Sequence, residues 1–244
     1  MRNVKLVLEY DGAAYHGWQA QRDPQTLQHV LEQAIARVTH ERVRVHGSGR
    51  TDAGVHALGQ VASFHTTSRI PAERLVHAIN AHLPDDAAVK SARDVPESFH
   101  ARYSAKGKHY RYTILNATTR SPLAQATAWW VRAPLDVEAM QRAAQHLVGT
   151  HDFRAFCTQA RQKGETTRTV HRLGVRKRGR RITVDVEANG FLYNMVRAIV
   201  GTLVSVGRGQ RKPAEVGLIL KALRRSDAGP TAPPHGLCLV RVVY

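Results

Sequence analysis

The chain has 244 residues, of which 36 are Lys or Arg and 19 are Asp or Glu, giving a formal net charge of +17 at pH 7. This length accommodates two folded lobes with a core each, and no apolar run approaches the roughly 20 residues that a membrane-spanning helix needs. The two cysteines, Cys157 and Cys238, have no metal-ligand spacing, so neither a disulfide framework nor a zinc site is indicated. Because the N-terminus opens directly on a strand pattern, we expect a cytoplasmic protein without an export signal.

The first half of the chain predicts the order strand, helix, strand, strand, helix, strand. Polar and apolar residues alternate in the strands, and the first helix carries an apolar stripe that begins behind Thr26 as N-cap. Pro71 fits the first turn of the second helix. The predicted strands are 4–10, 43–46, 60–65 and 87–92. This order resembles a ferredoxin-like unit.

The second half repeats this order with one additional helix near its end. Its predicted strands are 106–115, 129–131, 170–177, 182–188 and 237–243, and its helices are 136–148, 192–203 and one that Pro213 opens. Residues 178–180 are predicted as the turn of a hairpin. The expected fold class is therefore α+β, with two related ferredoxin-like or RRM-like lobes at residues 1–104 and 105–244.

The positive charge is concentrated in the second lobe. Residues 1–105 hold 12 basic and 11 acidic side chains, whereas residues 106–244 hold 24 and 8. Residues 161–181 alone contain nine basic side chains and one acid, Glu165. Such asymmetry favours a polyanionic partner, because phosphate neutralisation releases counterions. A flexible, solubilising loop is the alternative explanation of the basic run.

Residues 47–57 form a glycine-rich loop between two predicted strands. Three glycines permit a positive φ or a close approach by another backbone, and Asp52 and Arg50 stand two residues apart within them. Asp beside Gly is also common in a plain turn. A phosphate-binding loop is disfavoured, because no Gly-Lys-Ser or Gly-Lys-Thr follows.

Residues 49–57 resemble the signature loop of the tRNA pseudouridine synthase A family. Further motifs of that family occur in the family's order, namely Asp11-Gly12 with Gly17-Trp18-Gln19, Lys108-His109-Tyr110-Arg111-Tyr112, His151-Asp152-Phe153, Asn194-Met195-Val196-Arg197 and His235-Gly236-Leu237. Six separated matches are far more specific than one glycine loop. The resemblance implies joined, mainly antiparallel sheets with a central cleft between the lobes.

The resemblance also implies an activity and its residues. The family isomerises uridine to pseudouridine in the anticodon stem-loop of tRNA, at positions 38, 39 and 40, as a homodimer that needs no cofactor or metal. Asp52 matches the catalytic nucleophile, and Arg197 matches the arginine that pairs with it. Tyr110 matches the tyrosine that stacks on the flipped uracil, and Arg50 would reach into the RNA stem.

The basic run supplies candidates for contacts with the RNA backbone, and two other functions stay open. The candidates are Arg161, Lys163, Arg168 and Arg172. An RNA-binding module without catalysis would rest on charge alone and would leave Asp52 dispensable. A metal-dependent hydrolase would use the carboxylate and imidazole groups of the first lobe and would lose activity to a chelator; these groups are His46, Asp52, His56 and His65.

Overall fold

The structure is a computed structural model that describes residues 1–19, 25–158 and 165–244. Its contacts divide the chain into two compact units, unit 1 with Met1–Lys106 and Cys238–Tyr244, and unit 2 with Gly107–Leu237. Both units combine helices with mainly antiparallel strand pairs, so the predicted α+β class is confirmed. The division differs from the expected one at the C-terminus, where the last strand packs with the first unit rather than the second.

Unit 1 contains the strands β1 to β4, the last strand β10, and two helices. Strand β1 lies between β3 and β4 and is antiparallel to both, with Leu6 opposite Ala62 and Ala92. Strand β3 also pairs with β2, antiparallel, and with β10, parallel. The bounds are β1 Arg2–Tyr10, α1 Leu27–Thr39, β2 His46–Gly47, β3 His56–Thr66, α2 Ala72–Asn80, β4 Ala87–Val95 and β10 Leu237–Val243.

The core of unit 1 comes from buried residues of β1 and β3 and one stripe of each helix. The buried apolar residues of β1 alternate along the strand, whereas β3 is buried on both faces. The buried positions of α1 and α2 follow the helical period. Each fully buried aliphatic or Phe side chain contributes about 1.5–3 kcal/mol. The members exposed by at most 1% include Val4, Leu6, Leu8, Leu31, Ile35, Phe64, Leu75 and Ile79.

Unit 2 contains the strands β5 to β9 and three helices. The strands lie in the order β6, β5, β9, β8, β7. Strands β5 and β6 are parallel, and the other described pairs of unit 2 are antiparallel. Gly179 has a φ of +59° in the tight β8–β9 turn, so the predicted hairpin is confirmed. The bounds are β5 Gly107–Asn116, β6 Trp129–Val131, α3 Val137–Gln145, β7 Gly149–Asp152, β8 Thr167–Arg178, β9 Arg181–Ala188, α4 Met195–Gly207 and α5 Glu215–Ala222.

Helix α4 is the central buried element of unit 2. Of its 13 residues, every one except Arg197 is buried, so the helix is surrounded by protein on all sides, as core helices are. Strands β5 and β9 contribute alternate residues to the same core, including Tyr112 and Val184, which stand opposite each other. Arg197 is therefore the single partly exposed position of a helix that is otherwise surrounded by protein.

The predicted strand at residues 43–46 is wrong for most of its length. Only His46–Gly47 pairs with β3. The backbone of Val45 is bound by side chains of α1 instead, because its N–H donates to Glu32 and its carbonyl accepts from Gln28. A backbone group that is satisfied in this way cannot join the β ladder.

Thr26 is the N-cap of α1 but makes no side-chain cap bond; the N–H groups of Leu27 and Gln28 instead donate to the carbonyls of Gly17 and Trp18. Within residues 1–19, 25–158 and 165–244, no helix has the length and apolar character required to span a bilayer.

Candidate active site

Asp52 lies in a tight turn of the loop between β2 and β3. The N–H of Val55 donates to the carbonyl oxygen of Asp52 at 3.1 Å, and Gly54 has a φ of +76°. A positive φ at the third position of a turn is the reason for glycine there. The side chain of Asp52 is partly buried, while Thr51 and Val55 beside it are buried. The turn thus holds one carboxylate at a fixed point of the surface.

The loop is wedged against the segment that follows β1. The N–H of Trp18 donates to the carbonyl of Thr51 at 3.1 Å. A Cβ atom on Gly12 would lie 2.1 Å from the carbonyl oxygen of Val55, and one on Gly17 would lie 2.7 Å from that of Thr51. Both glycines therefore permit a backbone-to-backbone approach that no side chain would allow. The Asp11-Gly12 and Gly17-Trp18 motifs serve to position the Asp52 turn.

A buried polar cluster supports the loop from beneath. The Tyr10 hydroxyl lies 2.9 Å from the Thr51 hydroxyl, and Gln60 donates to the carbonyl of Gly49 at 3.1 Å while accepting from Ser48 at 2.7 Å. Burial raises the pKa of Tyr10 far above its usual range, so this hydroxyl stays neutral. Each buried group has a partner, as a rigid support requires.

His56 closes the other end of the loop. Its Nδ1 atom lies 3.1 Å from the backbone nitrogen of Gly12 and 3.0 Å from Oδ1 of Asp11. A single ring nitrogen either accepts from the N–H or donates to the carboxylate, depending on its protonation. Either bond joins the end of the loop to the end of β1.

Arg50 is exposed, and its Nε donates to Oε1 of Gln19 at 3.0 Å. Gln19 in turn donates to the buried Gln28 of α1 at 2.7 Å. Sequence reasoning placed Gln19 in a family motif without a role and gave Gln28 none. In the sequence, Gln28 could have been noticed as a polar residue next to the apolar stripe of α1 and four residues before Glu32.

Tyr110 lies in the middle of β5 in unit 2, opposite Val186 of β9. It is 7% exposed, and its ring meets that of Phe191 edge-on with 5.0 Å between the centroids. A buried aromatic ring held edge-to-face by another has a defined orientation. The sequence analysis does not predict Phe191 as a site residue. Its position three residues before the Asn194 motif is what could have pointed to it.

Arg197 is held by its own helix end and by the segment before β10. Its Nη1 donates to Oδ1 of Asn194 at 2.9 Å, and its Nε donates to the carbonyl of Ala232 at 2.7 Å. Asn194 itself has a φ of +62° and donates to the Thr158 hydroxyl at 2.8 Å. Two directed bonds from a planar guanidinium fix its orientation.

The segment 229–233, which Arg197 holds, is itself tightly bound to α4. A Cβ on Gly201 would lie 1.7 Å from the carbonyl oxygen of Pro230, so the segment lies directly on the helix backbone. Arg225 donates to Gly229, and the Tyr112 hydroxyl donates to Pro233 at 2.8 Å. The segment that precedes the His235-Gly236-Leu237 motif is therefore part of the setting of Arg197.

Two of the four predicted RNA-backbone cations, Arg168 and Arg172, lie within the described part of unit 2. Arg172 is exposed on β8, opposite Glu187 of β9. Arg168 is partly buried and donates to the carbonyls of Glu165 and Thr167 at 3.1 and 2.6 Å. Arg161 and Lys163 lie outside the described residues.

Unit 1 also carries a row of rings that sequence reasoning missed. The ring centroids of His46 and His100 are 4.7 Å apart, those of His100 and Tyr103 are 4.5 Å apart, and the guanidinium of Arg102 lies 5.6 Å from the Tyr103 centroid. We call these four residues the ring stack. Tyr103 is 77% exposed. The sequence does carry a signal for it, because three ring-bearing residues, Phe99, His100 and Tyr103, stand close together just before the predicted lobe boundary at residue 104.

The predicted residues thus fall into two sets, Asp52 and Arg50 on one loop of unit 1, and Tyr110 and Arg197 in unit 2. The metal-hydrolase hypothesis finds no support among the described residues, where no three His, Cys, Asp or Glu side chains form a group able to hold a metal ion. His56 is instead bonded to the backbone of Gly12, and His46 belongs to the ring stack.

Comparison with known proteins agrees with the resemblance. The profile of a family described as tRNA pseudouridine synthase matches residues 6–104 and 143–244. Proteins named tRNA pseudouridine synthase A from Thermoanaerobacter sp. (strain X514) and Geotalea uraniireducens are 53% and 48% identical, each over all of both chains. A crystal structure titled as a Cbf5-Nop10-Gar1 complex is 14% identical with a TM-score of 0.38, covering 97% of this chain and 48% of that one. By its profile match and these full-length identities, the chain belongs to the tRNA pseudouridine synthase A family.

Proposed function

We infer that this chain isomerises uridine to pseudouridine in the anticodon stem-loop of tRNA, with Asp52 as the nucleophile. The main support for this function is membership in the family, since relatives with that name are 53% and 48% identical over the whole length. The target positions 38, 39 and 40 follow from the resemblance. A catalytic role for Asp52 is supported by the backbone contacts that fix its turn, at Trp18, Gly12 and Gly17.

The reaction balances within the substrate. The bond between C1′ of the ribose and N1 of the uracil breaks, and a bond forms between C1′ and C5. C5 loses its proton and N1 gains one, so no oxidant, reductant or nucleotide is consumed. The Asp52 carboxylate bonds to the sugar or to the base while the glycosidic bond is absent and is released when the new bond has formed.

Two residues of unit 2 complete the proposed chemistry. We assign Arg197 as the cation that keeps the Asp52 carboxylate ionised and Tyr110 as the ring on which the extruded uracil stacks, with its hydroxyl near the C5 proton. Support comes from the rigid settings of both side chains, a guanidinium with two directed bonds and a ring packed against Phe191.

The remaining assignments concern RNA contacts and assembly. The cations Arg161, Lys163, Arg168 and Arg172 would neutralise backbone phosphates, and Arg50 would enter the stem at the place of the extruded uridine. The exposed ring stack fits an unpaired base, since aromatic and guanidinium planes stack on nucleobases. We further propose a homodimer in the cytoplasm, which sedimentation at micromolar concentration and cell fractionation would test.

Nucleoside analysis of tRNA tests the function itself. An unmodified tRNA transcript with uridines in the anticodon stem-loop is incubated with the protein and a chelator, digested, and separated by liquid chromatography. We expect one pseudouridine to appear for each uridine lost, without any added cofactor. Tight binding with no pseudouridine in several tRNAs would establish the binding module instead. Activity that the chelator abolishes would favour the metal-dependent alternative.

A further inference from the structure

A chain of side-chain hydrogen bonds connects Arg50 to the inside of unit 1. Arg50 Nε donates to Gln19 Oε1 at 3.0 Å, Gln19 Nε2 donates to Gln28 Oε1 at 2.7 Å, and Gln28 Nε2 donates to Glu32 Oε1 at 2.8 Å. The same Gln28 nitrogen donates to the carbonyl of Val45 at 3.2 Å. We call the four side chains Arg50, Gln19, Gln28 and Glu32 the amide relay.

The direction of the amide relay is fixed by its two ends. Glu32 and the carbonyl of Val45 can only accept, so the NH2 group of Gln28 must face them and its oxygen must face Gln19. Gln19 must then turn its NH2 group to Gln28 and its oxygen to Arg50. A guanidinium can only donate, so this last bond also has the one direction that the chemistry allows. No amide in the relay can rotate without losing a bond at both of its ends.

The amide relay is also matched in charge. It begins at the cationic Arg50 and ends at the carboxylate of Glu32, and both intervening amide dipoles point the same way. Bonds in such a chain polarise one another, and the effect is larger where solvent is excluded. Gln28 is 2% exposed, so its amide lies in the part of the relay from which water is excluded.

The inner end of the amide relay is rigidly anchored. Glu32 Oε1 also accepts from the N–H of Val45 at 3.0 Å, and Val45 immediately precedes β2 and the Asp52 loop. The backbone N–H of Gln28 donates to the carbonyl of Trp18 at 3.0 Å. Helix α1 is therefore joined to the Arg50 side chain through Gln19, and to the backbone of Val45, five residues before Arg50, through Gln28 and Glu32.

We propose that Gln19 is a positioning residue for Arg50, and that Gln28 and Glu32 are its anchor. Gln19 binds the Nε atom, and the Nη atoms of Arg50 have no hydrogen-bond partner within the described part of the chain. The guanidinium is thus held by its inner edge with its two-nitrogen outer edge exposed, as insertion into an RNA stem requires. The proposal rests on the proposed function, because it needs a substrate from which a uridine is extruded.

A double-mutant cycle between Gln19 and Arg50 tests the proposal. Single-turnover rates are measured for Gln19→Met, Arg50→Ala and the double variant on an anticodon stem-loop with a paired target uridine. We expect Gln19→Met to lower the rate about 10-fold and Arg50→Ala about 100-fold. The double variant should be no slower than Arg50→Ala, because Gln19 acts through Arg50. Gln33→Met, an exposed Gln→Met change on the same helix, should keep the wild-type rate.

A second substrate separates positioning from a purely structural effect. If the target uridine faces a mismatched base, its extrusion costs less. We expect this stem-loop to restore most of the rate lost in Gln19→Met and in Arg50→Ala. Equal losses on both stem-loops, or independent losses that multiply in the double variant, would overturn the proposal. Wild-type protein that makes no pseudouridine on either stem-loop would refute the proposed function instead.

A variant that keeps the shape of the relay covers the case in which Gln19→Met folds poorly. Glu32→Gln retains an oxygen that accepts from Gln28 and Val45 but removes the terminal charge. We expect a loss of about threefold on the paired stem-loop and none on the mismatched one, with an unchanged melting temperature. A wild-type rate for Glu32→Gln on both stem-loops would contradict the charge-matched relay.

Discussion

The two units hold their candidate catalytic residues by opposite means. In unit 1, Asp52 stands on a loop whose position depends on glycines, because Gly12 and Gly17 let one backbone touch another. In unit 2, Arg197 stands on a helix whose other residues are all buried, and its position depends on side-chain bonds. A loop can therefore be held as firmly as a helix when backbone contacts replace side-chain packing. We expect substitutions in the two units to differ in their effects on stability and activity.

The largest structural effect is expected from a methyl group at the base of the Asp52 loop. In Gly12→Ala, the new Cβ would lie 2.1 Å from the Val55 oxygen and 2.5 Å from its carbon, so backbone must move. We expect the free energy of unfolding to fall by about 3 kcal/mol, and pseudouridine formation to fall about 100-fold because the Asp52 turn shifts. Urea denaturation and single-turnover assays measure the two effects.

Gly174→Ala is the matched control, because a Cβ there meets no atom within 4 Å. Its free energy of unfolding should stay within about 0.5 kcal/mol of the wild type. Equal stability losses at both glycines would contradict the close backbone contact between the Asp52 loop and the segment after β1.

Arg197→Lys should reduce activity without a comparable loss of stability. Lysine keeps the charge but cannot make the two directed bonds to Ala232 and Asn194. We expect the single-turnover rate to fall about 100-fold, which corresponds to about 2.7 kcal/mol. Arg224→Lys, at an exposed ion pair with Asp227, should keep the wild-type rate, and a wild-type rate for Arg197→Lys would remove that residue from the proposed chemistry.

The ring stack of unit 1 and the basic surface of unit 2 should differ in their salt response. Tyr103→Ala should weaken tRNA binding about tenfold through lost stacking while leaving the slope of log affinity against log salt unchanged. Arg172→Ala should lower the magnitude of that slope by about one. Filter binding over a range of salt concentrations measures both, and a changed slope in Tyr103→Ala would mean that the ring stack acts through charge.

The smallest effect concerns pH and His100. Burial, with His46 and Arg102 beside it, lowers the pKa of His100 below the usual value. The unfolded chain therefore binds this proton more readily, so the contribution of His100 is favourable above about pH 6.5 and is lost as pH falls through the folded pKa. The urea midpoint of His100→Gln should fall less than that of the wild type between pH 8 and pH 5. Parallel falls would show that His100 does not titrate in that window.

Periodicity predicted most elements of both units, because an element with one buried face carries apolar residues at the period of a strand or a helix. The hairpin around Gly179 and helix α1, whose buried residues Leu27, Leu31 and Ile35 follow the helical period, are examples. The strand at 43–46 failed because its backbone is bound by Gln28 and Glu32, two side chains of a helix that carry no strand signal.

The candidate site could be predicted only where a motif is continuous in sequence. Asp52 and Arg50 stand within one motif, whereas the ring stack joins His46 to residues more than fifty positions later. The amide relay likewise depends on the tertiary position of Gln28. Contacts of this kind are set by three-dimensional packing and leave no periodic pattern.

The measurement that tests the central claim most directly is tritium release by Asp52→Asn. A tRNA transcript with 5-tritiated uridine is incubated with wild type, with Asp52→Asn, and with the control Asp85→Asn, and binding of each protein to tRNA is measured in parallel. We predict release by the wild type and by Asp85→Asn, and none by Asp52→Asn although it still binds tRNA. Release by Asp52→Asn at the wild-type rate would contradict the assignment of Asp52 as the nucleophile.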